Sequence, residues 1–242
     1  SSAWSVSGYN NAVKAVAGSL AGLVDLELMP IRPWLNPPRP GARAFGGLTV
    51  RTSPFGTIRR FLREGLVRSA QYNVRGIDRI KYSWQYALNS EAISRVLADR
   101  KYDIVHVHGM SFEVLPVYNE CMRAGIPMVG TAHGSNYFDP NIRLYFDREL
   151  ERDLAIELAK GKNAITVVST AVRDRYLSEF GIDPERVYTV RNGVDLPPAR
   201  DEPRRREARG RLGIPQDRPI MLTVGSLIKR KNQREVIAAL PS

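Results

Sequence analysis

Through the middle of the chain, short apolar runs alternate with longer stretches of helical periodicity. Residues 103–107 (Asp-Ile-Val-His-Val), 126–131, 164–168 and 187–190 each read as a short strand. Between them, residues 112–124, 143–160 and 171–180 read as helices, with Leu144, Leu150, Leu154 and Leu158 recurring at near-helical spacing. Gly125 and Gly181 stop two of these helices, and Ser169 or Thr170 is placed to cap a third boundary. Apolar strands alternating with helices predict a mainly parallel sheet covered on both faces, an α/β, doubly wound architecture.

The flanks carry less regular patterns. Residues 11–23 form a small-residue helical pattern, 26–29 a short strand, 30–44 a Pro- and Arg-rich loop, and 83–99 a helix with Tyr86, Ala87, Ile93, Val96 and Leu97 available for packing. Residues 57–68 read as a short basic amphipathic helix. Ile58, Phe61, Leu62 and Leu66 share one face, with Arg59, Arg60, Arg63 and Arg68 around it. The default is that this apolar face packs on the sheet; docking on anionic lipid is the alternative. Prolines at 197, 198 and 203 mark a linker, followed by a basic helix over 204–212, a strand over 219–224, a turn at Gly225-Ser226 and a helix from about Asn232. The expected division is therefore 1–193 as one domain and 194–242 as a linker with the incomplete start of a second.

Composition narrows the class. The chain has 242 residues, 43% hydrophobic and 25% charged, with a net charge of +11, ordinary for a globular protein and unlike a disordered one. No run approaches the roughly 18–20 apolar residues of a spanning helix. The single cysteine, Cys121, excludes an internal disulfide framework and suits a reducing compartment. No secretory leader is visible, so a cytoplasmic site is expected. Charge is uneven: residues 31–101 hold 14 basic and 4 acidic residues, 102–195 hold 10 and 14, and 196–242 hold 11 and 5. Basic stretches attract phosphorylated ligands, anionic lipid or nucleic acid, with a solvated surface as the default reading. No nucleic-acid partner is expected, because the basic residues carry no recognised motif with interleaved aromatics.

Ligands of open α/β sheets bind outside the carboxyl ends of the strands. His106, His108 and Gly109 fall at one such end, His133 and Gly134 at the next, Gly8 stands before the first helix, and Gly225-Ser226 follow the last strand. Glycine turns and helix N-termini present free N–H groups to anions. Three histidines at strand ends raise the question of zinc, but no carboxylate or thiol stands at ligand spacing, and a packed, hydrogen-bonded group is the simpler reading. No G-x-S-x-G, G-x-x-x-x-G-K-[ST] or G-x-G-x-x-G string occurs, which removes the serine-hydrolase elbow and the P-loop and disfavours a dinucleotide oxidoreductase. Cys121 lies within a helix pattern and reads as core rather than nucleophile.

Five strings in order carry a resemblance: DIVHVHG (103–109), PMVGTAHG (127–134), NAITVVSTAVRDRYL (163–177), RVYTVRNGVD (186–195) and PIMLTVGSLIKRKN (219–232). Together they resemble a family-four glycosyltransferase of the GT-B fold. The resemblance implies two Rossmann-like domains facing a cleft, with the N-terminal one on the acceptor side and the C-terminal one binding a nucleotide-sugar. It places Gly8 in the loop near the donor diphosphate, His133 at the transferred sugar, and Lys231 with Gly225 and Ser226 at the diphosphate. Asn192 and Gly193 would be the hinge between domains, and His108, Gly109 and Gly134 the acceptor side.

The implied activity is retaining transfer of a sugar, hexosyl or related, to a glycan or lipid-linked acceptor. Cell-surface polysaccharide or glycolipid synthesis is the implied setting, with no metal and no cofactor beyond the donor substrate. The chain departs from the family pattern at Ser226, where an arginine is usual, and the E-x7-E pair that grips the donor would lie beyond residue 242. The expectation is thus an N-terminal domain with the opening of its partner, inactive alone, at the inner face of the membrane as a peripheral protein. The rival is a non-catalytic basic α/β module that binds an anionic ligand or membrane surface. An epimerase on the same architecture is a third reading, without its motifs.

Overall fold

The computed structural model of the chain describes residues 8–29, 53–135, 137–138, 145–193, 201–225, 227 and 231–239. In chain order its elements begin with α1 (Gly8–Leu20), α2 (Pro54–Arg60), a π-helical stretch (Phe61–Gly65), α3 (Leu66–Gln71) and α4 (Gly76–Asp99). The central region follows: β1 (Val105–His108), α5 (Leu115–Ala124), β2 (Met128–Ala132), α6 (Tyr145–Leu158), β3 (Ala164–Val167), α7 (Thr170–Phe180) and β4 (Val187–Thr189). Two further helices are α8 (Glu202–Arg211) and α9 (Gln233–Ala238). Two compact units are present, Ser1–Val194 and Asp195–Ser242.

The four strands form one parallel sheet in the order β1-β2-β3-β4, with a helix in each crossover. This is the α/β, Rossmann-like arrangement that the alternating pattern predicts. Register puts Val107, Gly130, Ile165 and Val187 side by side on one face, where they are buried. Leu150, Leu154, Ala155 and Leu158 of α6 and Tyr176 and Phe180 of α7 complete that core. Neighbours in a parallel ladder share a face, so the alternate positions form a second row: His106 with Val129 and Ala164, then His108 with Thr131, Thr166 and Tyr188. This second row is more polar and more open to solvent at His106 and Tyr188.

Local signals set the boundaries. The Ser169 hydroxyl accepts from Val172 N–H and starts α7, and Gly181 ends it in the left-handed region at φ 65°. Gly125 ends α5 in the same way, with Ile126 N–H reaching back to the Cys121 carbonyl. On the other side of the fold, α2, the π-helical stretch and α3 lie along α4. Gly65 permits the close approach there: a Cβ at 65 would fall on the Ser83 carbonyl oxygen. In its place, the hydroxyls of Ser69 and Ser83 both donate to the Gly65 carbonyl, at 2.9 and 3.0 Å.

Several expectations are corrected. α4 starts at Gly76 rather than 83, and its first apolar positions, Ile77 and Ile80, face solvent. Gly8 opens α1 rather than preceding the first helix. Residues 26–29 form no strand, only an isolated bridge at Leu28. Residues 219–224 form no strand either, and Leu222 and Val224 are 79% and 85% exposed. A strand exists only in a ladder, and no described residue pairs with this segment. The Pro/Arg loop (30–44) lies outside the described residues.

Candidate active site

Parallel pairing of β1 with β2 brings the three histidines together. His106 and His108 are two apart on β1 and therefore share a face, while His133 follows β2 directly. The rings stack: centroids are 4.4 Å apart for His106 and His108 and 5.2 Å for His108 and His133, both pairs inclined by 28°. His108 Nδ1 and His133 Nε2 lie 2.9 Å apart, one donating and the other accepting. His106 Nε2 pairs with the Thr131 hydroxyl at 2.6 Å, which in turn meets the Thr166 hydroxyl.

Neutral imidazoles suit this arrangement. Desolvation by the surrounding protein lowers the pKa of all three. His108, in the middle, falls to about 4, through desolvation first and then through its two ring neighbours. Among the described residues no group of three or more His, Cys, Asp or Glu could hold a metal ion. Gly109 turns the chain away after β1 with φ at 96°, a backbone that favours glycine, while its N–H donates to the Thr131 carbonyl at 2.8 Å.

The loop carrying His133 and the exposed Gly134 is held by a residue that the sequence reading did not single out. Glu151 of α6 is 1% exposed. Its carboxylate accepts from the Ser135 hydroxyl, from Tyr137 N–H at 3.2 Å and from the Tyr176 hydroxyl at 2.8 Å. A buried carboxylate with three donors ties the β2 loop to α6 and α7. Only its place in the Leu150–Leu154 stripe, on the inward side of α6, hinted at this.

In the second unit, Gly225 and Lys231 come together: a Cβ at 225 would meet Lys231 Cγ and Cδ at 3.7 Å. Ser226 lies outside the described residues, as do Lys229 and Arg230. Asn192 and Gly193 are exposed in irregular chain at the end of the first unit. Cys121 is fully buried, and burial with nearby Glu120 pushes its thiol up to about 12, so it is core and not nucleophile. A cleft of about 820 Å³ is lined by residues of α2, α4 and α5, but Arg60, Glu91, Glu120 and Arg123 along it pair with one another.

Residues 48–197, which hold the sheet and the histidine cluster, match the description Glycosyltransferase Family 4. The chain belongs to glycosyltransferase family 4. Its curated relatives include the alpha-maltose-1-phosphate synthase of Mycolicibacterium smegmatis, 30% identical over 129 residues. That match covers 48% of this chain and 31% of the relative. The D-inositol 3-phosphate glycosyltransferase of Kineococcus radiotolerans is 28% identical over 134 residues, 54% of this chain and 30% of the relative. The matched region thus spans about a third of the length of each relative. Among the described residues, no helix is long and apolar enough to cross a membrane.

Proposed function

We propose that this chain supplies the acceptor-side domain and the opening of the donor domain of a retaining glycosyltransferase. It would move a hexosyl or related sugar from a nucleotide-sugar to a glycan or lipid-linked acceptor in cell-surface polysaccharide or glycolipid synthesis. The observation that carries this reading is the hydrogen-bonded His108–His133 pair at the carboxyl ends of β1 and β2, within the family-matched region. A neutral His133 is suited to hydrogen-bond a sugar hydroxyl at the reacting ring. Lys231 beside Gly225 offers a cation and a turn to the departing diphosphate, a stabilisation that needs no metal. In this reading the bond from the anomeric carbon to the diphosphate breaks as the acceptor oxygen bonds to that carbon from the same side. The acceptor proton passes to the departing phosphate oxygen.

Sugar transfer requires both halves of the site in register. This chain alone should therefore release no nucleotide above background. In a polypeptide that also carries the E-x7-E segment, a nucleotide-release assay across a panel of nucleotide-sugars should find a donor. His133→Ala should there lower kcat/KM by about tenfold to a thousandfold with the melting temperature kept, and Lys231→Ala should lower kcat at least as much as donor affinity. Unchanged kinetics in His133→Ala with a lowered melting temperature would make the histidine structural. Donor binding with no turnover in the longer polypeptide would replace the enzyme with a binding module.

A further inference from the structure

The amphipathic segment packs along α4, and of its apolar face Ile58 and Leu62 are exposed while Phe61 and Leu66 are half-buried. Against α4 it turns Thr57, Gly65 and Ser69 inward, onto a row that includes Ser83, Ala87 and Ser90. Phe55, Ile58 and Leu62 point to solvent, spaced i, i+3, i+7, and so do Ile77, Ile80 and Trp84 of α4, at the same spacing. All six are between 42% and 87% exposed. Phe61 and Trp84 meet edge to face at 5.3 Å and join the two stripes into one surface.

Charge on this surface is mainly basic, with Asp78 its one exposed acidic residue among the described residues. Glu64, Glu91 and Glu120 are drawn into ion pairs with Arg60, Arg95 and Arg123. Burial works to raise the Glu91 carboxyl, but its hydrogen bonds from Arg95 and Arg60 outweigh this and hold it low. Arg59, Arg63 and Lys81 are exposed and enter none of the ion pairs among the described residues. Residues 53–90 hold seven basic residues and two acidic ones, Glu64 and Asp78. Protruding aliphatic and aromatic side chains set among arginines match the boundary between headgroups and acyl chains of an anionic bilayer. A nucleic acid would leave four of the six apolar groups, Ile58, Leu62, Ile77 and Ile80, without a stacking role.

We propose that the face built by α2, the π-helical stretch and the start of α4 docks on an anionic lipid surface. Phe55, Ile58, Leu62, Ile77, Ile80 and Trp84 enter the acyl boundary, and Arg59, Arg63 and Lys81 lie at the lipid phosphates. This inference is independent of the sugar-transfer reading, and its test uses no turnover.

The test is co-sedimentation of the whole chain with vesicles of phosphatidylcholine, and of phosphatidylcholine mixed with phosphatidylglycerol, at low and high salt. Binding to the mixed vesicles only, weakened by salt, is expected. Each basic residue at such a surface contributes about 1 kcal/mol, about fivefold, so Arg59→Gln with Arg63→Gln should weaken binding about thirtyfold. Phe55→Ser with Leu62→Ser should abolish it, and circular dichroism should show the fold kept, since both residues are exposed. Quenching of Trp84 by brominated lipid should appear in wild type and vanish in Trp84→Phe. Equal binding to both vesicle types, or binding to neither, overturns the proposal. So does displacement from vesicles by a random oligonucleotide, or self-association that hides Trp84 in place of vesicle binding.

Discussion

The central imidazole of the stack makes a quantitative prediction about acid stability. His108 sits between two other rings, with centroids at 4.4 and 5.2 Å, and its pKa falls from 6.5 to about 4. A lowered histidine pKa means that the unfolded chain binds more protons than the folded one between those values. The stabilisation is therefore fully present above about pH 6.5 and is lost as pH falls toward 4. For one such group the loss between about pH 7.5 and pH 4.5 is about 2–3 kcal/mol, a large part of a typical domain's stability. Urea denaturation at steps across this range should show that loss in wild type. His108→Gln, which removes the titrating ring, should be less stable at neutral pH yet flatter with pH by about the same 2–3 kcal/mol. Carboxylates held low, such as Glu91 and Glu157, contribute their own loss at the acid end of the series, and they are common to both proteins. An NMR titration of His108 near 6.5, or an identical pH slope in the variant, would refute the reasoning.

Two further outcomes follow from packing. Glu151→Gln places an amide where Tyr137 N–H, Ser135 and Tyr176 all donate; the protein should lose about 1–3 kcal/mol in urea titration, and an unchanged midpoint would remove the clamp. Gly65→Ala should destabilise more than Gly130→Ala. The first meets the Ser83 backbone, which cannot move alone, whereas the second meets Leu158 Cδ1 at 2.6 Å and Met110 Cε at 2.7 Å, both free ends that can turn aside. Gly130→Ala should cost about 1–3 kcal/mol, and an equal or reversed order in thermal melts would contradict the contact geometry.

The alternation of strands and helices between residues 103 and 190 was legible in the sequence because its causes are local. Apolar runs of strand length, the Ser169 cap and the left-handed glycines at 125 and 181 act on neighbours a few residues away, and the structure places β1 to β4 and α5 to α7 within a few residues of those readings. The family motifs were legible for the same reason, being contiguous strings. Contacts between distant segments were not. A helical wheel shows that Ile58 and Leu62 share a face, but only the Gly65–Ser83 approach decides that this face looks outward. Three histidines can be counted at strand ends, yet their stacking depends on parallel register between β1 and β2. Glu151 reads as one acidic residue on a charged helix until its burial beside Tyr176 is known. The apolar run at 219–224 has strand composition and no ladder among the described residues, since strand formation depends on a hydrogen-bonding neighbour that propensity alone cannot supply.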